Sequence, residues 1–481
     1  MDPSPSNAET QTGHSDEGPS LKGKEAENSG RRGSGTDSLD GVETAGTSLF
    51  AQSGPARRNF FVLAAYQITM RIGWIFKTES IVMPAIMDLL CGPGTALASW
   101  MRSWLPQLNR LGQSLPQLFF ADRIRSASHK KNVVAICSGL MGLFFLGLAA
   151  IWLLKDRLPG SVMRVGFLLL YALFFIGVGV NNLGFNTLQG KLVAYDYRGR
   201  LFLVANTIGG ILAIGAAWFL LRQWFSLEGG NLVWVFGFSG VCFLIGSAGI
   251  LLCCETKDRH GTPRFKGLNF LRLPLTLFRS NTQFRLLSVI AACFGMSLVL
   301  FPHYQALYRE CLAESGTGFF FEDLVAWVIL QNAGTVVFSI LAGPAADRMG
   351  NRFVLQFVLF LLASVPLLAI CFSMDQRLAM NWYFVVFLIL GVTPVTIRVL
   401  NNFALELAPP ESHPQFLSAL SLCIALPVII CSQIAGWAIP VFGFSSVFLV
   451  ISAAILMGWV FTFFVNDPRF QLTTDVESSD N

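Results

Sequence analysis

Apolar runs recur along most of the chain, and short clusters of charged or turn-forming residues separate them. Each run has about 20 to 25 residues, the length at which an α-helix crosses a hydrocarbon core about 30 Å thick. The pattern predicts an all-α membrane protein. Its twelve predicted transmembrane helices lie near residues 60–90, 96–120, 131–154, 163–190, 200–222, 231–254, 284–309, 322–346, 353–374, 380–406, 413–439 and 442–465.

The second predicted helix is far more polar than the others. Polar side chains within membrane helices usually face a bundle interior or a water-filled cavity rather than lipid. We therefore expect this helix to line a wet cavity with side chains from the set Arg102, Gln107, Asn109, Arg110, Gln113 and Gln117.

Composition agrees with lipid as the main solvent, because only 13% of the 481 residues are charged against roughly 25% in soluble domains. Residues 1–56 are rich in Ser, Gly and acidic residues and predict a disordered tail. A second short tail is expected over residues 467–481. The longest internal connection, residues 255–283, is interpreted as a linker that contains a helix at the headgroup boundary.

Lys and Arg cluster at one end of the predicted helices. That end includes Arg57, Arg58, Lys130, Lys131 and the 257–285 connection. The positive-inside rule makes it cytoplasmic, so both termini are predicted to be cytoplasmic in a multi-pass protein of an inner or plasma membrane.

The two sets of six helices resemble each other. An Asp-Arg pair follows the second helix at Asp122-Arg123 and the eighth at Asp347-Arg348, an offset of 225 residues that follows from the numbering. A polar and acidic stretch follows the fourth and tenth helices at a similar offset. We therefore expect duplicated, pseudo-symmetric bundles at residues 57–254 and 284–466.

One loop carries a recognisable motif. The segment from Gly343 to Arg352 reads Gly-Pro-Ala-Ala-Asp-Arg-Met-Gly-Asn-Arg. It resembles the cytoplasmic G-x-x-x-D-R-x-G-x-R signature of the major facilitator superfamily at every fixed position. The resemblance implies two bundles that rock around a central site lined by the first, fourth, seventh and tenth helices. It also implies gating roles for residues of both loops and of the tenth helix, namely Asp122, Arg123, Gly343, Asp347, Arg348, Gly350, Arg352 and Glu406.

Within the motif, Gly343 is expected to allow close helix approach and Gly350 a tight turn. Glu406 is expected to pair with Arg348 or Arg352. The first-half copy of the motif is degraded, because Leu118 and Arg125 replace its glycines.

Polar side chains in the first helix lie at helical spacing, which places Gln67, Arg71, Trp74 and Thr78 on one stripe. A buried guanidinium needs an anion as its partner. Arg71 therefore either binds substrate or forms an internal salt bridge, and the sequence leaves both readings open.

Other candidates for substrate binding lie in the fourth, seventh and tenth helices: Asn182, Asn186, Tyr304, Arg398 and Asn402. The amides could equally join neighbouring helices. Arginines in opposite halves suggest an anionic solute, which the two bundles would grip together.

Two titratable side chains are candidates for proton coupling. Glu79 could take up a proton in a desolvated site, or could form a packing pair with Lys77 or with an arginine. His303 could carry a proton, or could simply donate a packing hydrogen bond.

These patterns favour a secondary active transporter, a symporter by hypothesis, with a proton or sodium as coupling ion. The alternatives are a polytopic membrane enzyme and a non-transporting sensor of the same fold. The sequence offers no catalytic cluster and no phosphate-binding loop, so we expect no enzymatic activity, no cofactor, no metal and no nucleic-acid partner. We expect a monomer.

Overall fold

A computed structural model of the chain describes residues 54–226, 231–257, 269–314, 321–408 and 412–466. Within these ranges the regular secondary structure is helical. Nine of the helices in the described ranges are long and apolar enough to cross a membrane. The tails and most of the linker lie outside the described residues.

The first bundle contains the helices α1 to α8. Their bounds are Gly54–Ile75 for α1, Val82–Cys91 for α2, Ala96–Ser126 for α3, Lys130–Leu153 for α4, Gly160–Leu192 for α5, Tyr195–Ala216 for α6, Arg222–Ser226 for α7 and Leu232–Ile250 for α8. A π-helical turn, Ala217–Leu221, joins α6 to α7.

The helix α9, Asn269–Ser280, precedes the second bundle and falls where the linker helix is expected. The second bundle contains Thr282–Val299 as α10, Tyr304–Glu314 as α11, Phe321–Ser373 as α12, Gln376–Trp382 as α13, Phe384–Leu390 as α14, Thr393–Glu406 as α15 and His413–Phe461 as α16. Non-helical glycines divide two of these helices, Gly350 within α12 and Gly443 within α16.

The first span is not the continuous helix expected over residues 60–90. Its backbone leaves the helical path at residues 76–81, between α1 and α2. The Thr78 carbonyl accepts hydrogen bonds from the amides of Ile81, Val82 and Met83 at 3.3, 2.9 and 3.1 Å. Irregular backbone at membrane depth persists only where it is buried in protein or lines a cavity, so this break marks the first span as a site of interest.

Packing within each bundle is dense. In the first bundle α4 packs on α5 and α8, and α1 packs on α6 and α8. In the second, α10 packs on α16, and α12 packs on α14 and α16. The helix α3 contacts both α5 and α16, so it connects the two bundles.

The two ends of the molecule are defined here by the chain segments that lie there. The terminal end carries Gly54 and residue 466, and the distal end carries the turn between α2 and α3. At the terminal end, Asn59 and Cys254 exchange hydrogen bonds of 2.9 and 2.7 Å. The Glu255 carboxylate accepts the Lys130 and Lys131 amides at 2.8 and 2.9 Å, which caps the N-terminus of α4.

Candidate substrate-binding cavity

A cavity of about 600 Å³ lies between the two bundles. Both bundles contribute polar side chains to it. From the first bundle these include Gln67, Arg71, Thr78, Glu79, Asn109, Arg110, Gln113, Asn182 and Asn206, and from the second Gln331, Asn332, Thr335, Thr393 and Arg398. Besides the first, fourth, seventh and tenth spans, the second, third, fifth and eighth also line the cavity.

Arg71 lies on the cavity wall at the contact between α1 and α6. Its guanidinium donates a hydrogen bond to the side-chain oxygen of Asn206. Two glycines of α6 make room for the side chain: a Cβ added at Gly209 would lie 3.3 Å from Arg71 Cδ, and one at Gly210 would lie 3.7 Å from Nη2. No carboxylate in the described residues pairs with Arg71, so its charge is held by a neutral amide alone.

Arg398 approaches the cavity from α15 in the second bundle. Its guanidinium carbon lies 4.5 Å from the ring centroid of Phe202, a residue of α6 in the first bundle. Over the described part of the chain, it too has no ion pair with a carboxylate. The two arginines singled out in the sequence therefore share one cavity.

Glu79 lies in the break between α1 and α2 and also lines the cavity. One of its oxygens accepts a 2.6 Å hydrogen bond from Lys77 Nζ, and the other accepts one from the Asn109 amide. The Lys77 side chain is fully buried, and its ammonium lies 3.9 Å from the Trp74 ring centroid and 4.3 Å from that of Phe175. The arrangement matches the packing-pair alternative for Glu79 while leaving its carboxylate at the cavity.

The polar second span supplies the opposite wall. Asn109 accepts a hydrogen bond from Gln113, which extends the chain of contacts that begins at Lys77. Arg110 lines the cavity beside them. Of the six polar side chains expected at a wet cavity, Asn109, Arg110 and Gln113 line it. Arg102 instead binds Asp88, Gln107 accepts a hydrogen bond from Gln433, and Gln117 is outside the lining.

Several expected binding residues lie elsewhere. Asn186 and Asn402 are exposed but outside the cavity lining. Tyr304 is buried in the second bundle, where its carbonyl accepts a 2.6 Å hydrogen bond from the Tyr383 hydroxyl and its ring packs on Phe448. Asn186 and Asn402 each lie four residues beyond a lining residue, Asn182 or Arg398. Each is therefore about 6 Å farther along the helix axis, near the same face but past the end of the cavity lining.

His303 does not reach the cavity lining either. It is fully buried in a 3₁₀ turn between α10 and α11. Its Nε2 lies 3.3 Å from the hydroxyl of Ser103 in α3, across the contact between the bundles.

Contacts between the bundles join them at the distal end. Asp88 of α2 forms ion pairs with Arg102 of its own bundle and, at 3.1 Å, with Arg309 of the other. Ser80 donates to Gln331 at 2.6 Å, and Gln433 donates to Gln107 at 2.7 Å. These contacts close the distal end of the cavity.

The distal contact is also where buried polar atoms lack partners. Five such atoms in the described residues belong to α3, the 3₁₀ turn and α16: Ser99 Oγ, Arg102 Nε, Trp104 Nε1, His303 Nδ1 and Gln433 Oε1. An unsatisfied buried polar group costs roughly 1–3 kcal/mol. Such groups are expected at a contact that separates and hydrates in another conformation.

The motif loop has the turn expected at Gly350, whose φ of 84° favours glycine. Next to it Asn351 donates a 2.8 Å hydrogen bond to Glu406. Arg352 donates to the carbonyls of Thr462 and Phe463 at 3.2 and 2.7 Å. Gly343 departs from its expected role, because an added Cβ would meet no heavy atom within 4 Å.

The remaining gating candidates are either exposed at the surface or have side chains that the structure does not describe. Arg123 is exposed with its guanidinium carbon 5.6 Å from the Phe120 ring centroid, and Arg348 is exposed. The side chains of Asp122 and Asp347 lie outside the described part of the structure.

Sequence reasoning did not single out Asn206, Gln331 or Arg110 as binding residues. Asn206 is a lone amide in an apolar run, and Gln331 with Asn332 forms an amide pair in another, so each is a polar signal within a membrane helix. Arg110 was visible only as part of a polar helix. Across the described residues, no group of three or more His, Cys, Asp or Glu side chains could hold a metal ion.

A family model described as Major Facilitator Superfamily matches residues 312–479. Over these residues, in the second half of the chain, the sequence matches the major facilitator superfamily. The match agrees with the motif at Gly343 to Arg352, which lies inside it. No curated protein sequence matches the chain.

Several solved transporter structures share the fold. A mutant of the nucleoside transporter NupG superposes with a TM-score of 0.64 at 11% identity, covering 84% of this chain and 99% of its own. A bacterial homologue of the human lysosomal transporter Spinster, inward-facing and unoccupied, gives 0.59 at 12% identity, covering 88% and 99%. The D-xylose-proton symporter gives 0.58 at 13% identity, covering 85% and 98%. The all-helical membrane fold is thereby confirmed, and the nine candidate spans in the described residues are consistent with the twelve expected.

Proposed function

We propose that this chain is a secondary active transporter that moves a small organic anion by alternating access. The observation that carries the proposal is the presence of Arg71 and Arg398, from opposite bundles, in one cavity. Neither has a carboxylate partner within the described residues. Gln67, Trp74, Thr78 and Asn182 complete the proposed binding wall.

The electrostatic argument rests on the cost of an uncompensated charge inside a membrane. Arginine stays protonated, so it cannot escape this cost by losing its proton. Asn206 offers Arg71 one neutral acceptor, and Phe202 offers Arg398 only the face of a ring. An anionic substrate would supply the missing charge and bidentate acceptors to the guanidinium groups.

Placement in different bundles gives the anion a mechanical role. A substrate held by Arg71 and Arg398 attracts both bundles towards itself and favours closure around the site. The distal contact around Asp88 and Arg309 would then separate as the terminal end closes. A ligand shifts such an equilibrium only through its different affinity for the two states.

Coupling to a proton is proposed at Glu79. It is the only carboxylate among the described lining residues of the cavity. Protonation would remove the charge that Lys77 binds at 2.6 Å and free the ammonium to attract substrate. His303 is better suited to the distal contact than to carrying a proton, because it does not line the cavity.

The terminal end is proposed to be cytoplasmic, in an inner or plasma membrane, because Lys and Arg concentrate there. On that side the loop residues Asp122, Arg123, Gly343, Asp347, Arg348, Gly350 and Arg352, together with Glu406, are the proposed gating elements. A single chain is the proposed working unit, since both walls of the cavity come from one chain.

Counterflow and uptake in proteoliposomes test the proposal. A panel of neutral, anionic and cationic solutes is assayed with wild type, Arg71→Gln, Arg398→Gln and the exposed control Arg377→Gln. We expect anion uptake by wild type and the control, and a loss of about tenfold or more in each cavity variant, from one charged hydrogen bond. Uptake that survives both cavity changes would refute the proposed binding role.

A further inference from the structure

The cavity wall carries a third arginine whose charge is not balanced. Arg110 of α3 lines the cavity with Arg71 and Arg398. It forms no ion pair within 4 Å in the described part of the chain. Arg110 and Glu79 are within electrostatic range of each other, but that one carboxylate already binds Lys77 at 2.6 Å.

The charge balance is therefore strongly positive. Four cationic side chains, Arg71, Lys77, Arg110 and Arg398, stand on or directly behind the wall, and Glu79 is the single carboxylate among its described lining residues. Three positive charges remain uncompensated. Charges this close repel one another more strongly inside a protein than in water, because the effective dielectric constant is lower.

We infer that the transported solute is an organic dianion, of the dicarboxylate or phosphate monoester class. The inference rests on the proposed function and narrows it. A monoanion would leave two positive charges in the occupied cavity, whereas a dianion leaves one. The electrostatic cost of the remaining positive charge is therefore lower when a dianion is bound, so the site favours a dianion over a monoanion.

The uncharged lining residues of the cavity indicate what the uncharged part of such a solute is like. Side-chain amides of Gln67, Asn182 and Asn332 offer uncharged donors and acceptors, and Trp74 offers a ring face. A cavity of about 600 Å³ lies within the range of metabolite sites, roughly 300–1,000 Å³. The second charged group can therefore be separated from the first by a polar or short carbon body.

Ligand-induced thermal stabilisation of the purified full-length protein tests the inference. Two matched series are titrated at pH 8 and constant ionic strength. One consists of succinate, succinamate and succinamide, which are a dianion, a monoanion and a neutral molecule of nearly equal size. The other consists of glycerol 3-phosphate, its methyl diester and glycerol. The two series separate the dicarboxylate class from the phosphate monoester class.

Arg110→Gln is compared with Lys257→Gln, an exposed control outside the membrane helices. We expect a dianion from one series to bind wild type at least about tenfold more tightly than its monoanion, the effect of one charge-assisted contact. Arg110→Gln should reduce that preference several-fold, and Lys257→Gln should keep it. If Arg110→Gln does not fold, the wild-type series alone decides.

The outcomes separate the two proposals. Equal or tighter binding of the monoanion, with sensitivity to Arg71→Gln, overturns the dianion and leaves the anion transporter standing. Stabilisation by the neutral members alone overturns both. Absence of stabilisation by either dianion overturns the inference, and the transport assays then judge the proposed function by themselves.

Discussion

Asp88 and Arg309 form a 3.1 Å ion pair that joins the two bundles at the distal end of the cavity. Asp88 is fully buried and also binds Arg102 of its own bundle. One carboxylate thus holds a cation from each side of the contact. If the bundles separate here, Arg102 can stay with Asp88, while the ion pair between Arg309 and Asp88 must break.

Arg309→Gln is expected to weaken distal closure without removing the pair inside the first bundle. A charged hydrogen bond contributes about 1.5–3 kcal/mol, so the population with an open distal end should rise about tenfold. The measurement is labelling of Gln433→Cys, in a background without native cysteines, by an impermeant maleimide. The exposed distal substitution Arg377→Gln should leave labelling unchanged, and unchanged labelling in Arg309→Gln would show that this pair does not hold the contact.

The helices α3 and α16 approach each other closely at the distal contact, which leads to a second prediction. A Cβ added at Gly436 would lie 2.8 Å from Ser103 Cβ. Gly436→Ala is therefore expected to disfavour distal closure and raise the same maleimide labelling. Combining it with Ser103→Gly should lower the labelling part of the way towards wild type, because that change removes the Ser103 contact but leaves the Ser99 carbonyl oxygen 3.1 Å from the added Cβ.

Gly237→Ala serves as the control, because a Cβ there meets nothing within 4 Å. If Gly436→Ala labels as wild type does, the two helices have room to adjust and the tight contact does not limit closure.

Much of the fold could be predicted from the sequence, because the lipid bilayer restricts which backbone structures can cross it. Apolar runs must be helices in lipid, and their lengths reveal the spans. The break at residues 76–81 was missed for a physical reason: the segment Phe76-Lys77-Thr78-Glu79 contains neither Gly nor Pro. Contacts from other helices hold it, including the Gln331 side chain on Ser80, and such contacts cannot be read from local sequence.

The sequence predicts which charged residues of the candidate site lie within membrane helices, but not which of them face the cavity. Arg71 and Arg398 were found by their charge in apolar surroundings. Arg102 and Arg110 lie two turns apart on one helix, and the sequence treats them alike. Only the structure distinguishes them, because Arg102 binds Asp88 and Arg110 faces the cavity.

Lys77 and Glu79 are expected to be energetically coupled. Glu79→Gln leaves a fully buried ammonium among aromatic rings, which should lower the free energy of unfolding by about 2–3 kcal/mol. The double variant Lys77→Met/Glu79→Gln removes the stranded charge, so it should be more stable than Glu79→Gln alone. Thermal unfolding of the four proteins in one detergent forms the cycle. A double variant as unstable as the sum of the single changes would show that the pair is not coupled.

Packing of α6 against Arg71 yields a prediction with a control in the same helix. Gly209→Ala would put a Cβ 3.3 Å from both Arg71 Cδ and Ile68 Cα, so the arginine stem must shift and its hydrogen bond to Asn206 must lengthen. We expect anion binding to weaken several-fold while the protein still folds. Gly215→Ala, where a Cβ meets nothing within 4 Å, should bind as wild type does. Since alanine favours a helix over glycine by about 1 kcal/mol, both variants should keep or gain thermal stability. A loss of binding shared by both would trace the effect to helix stiffness rather than to Arg71.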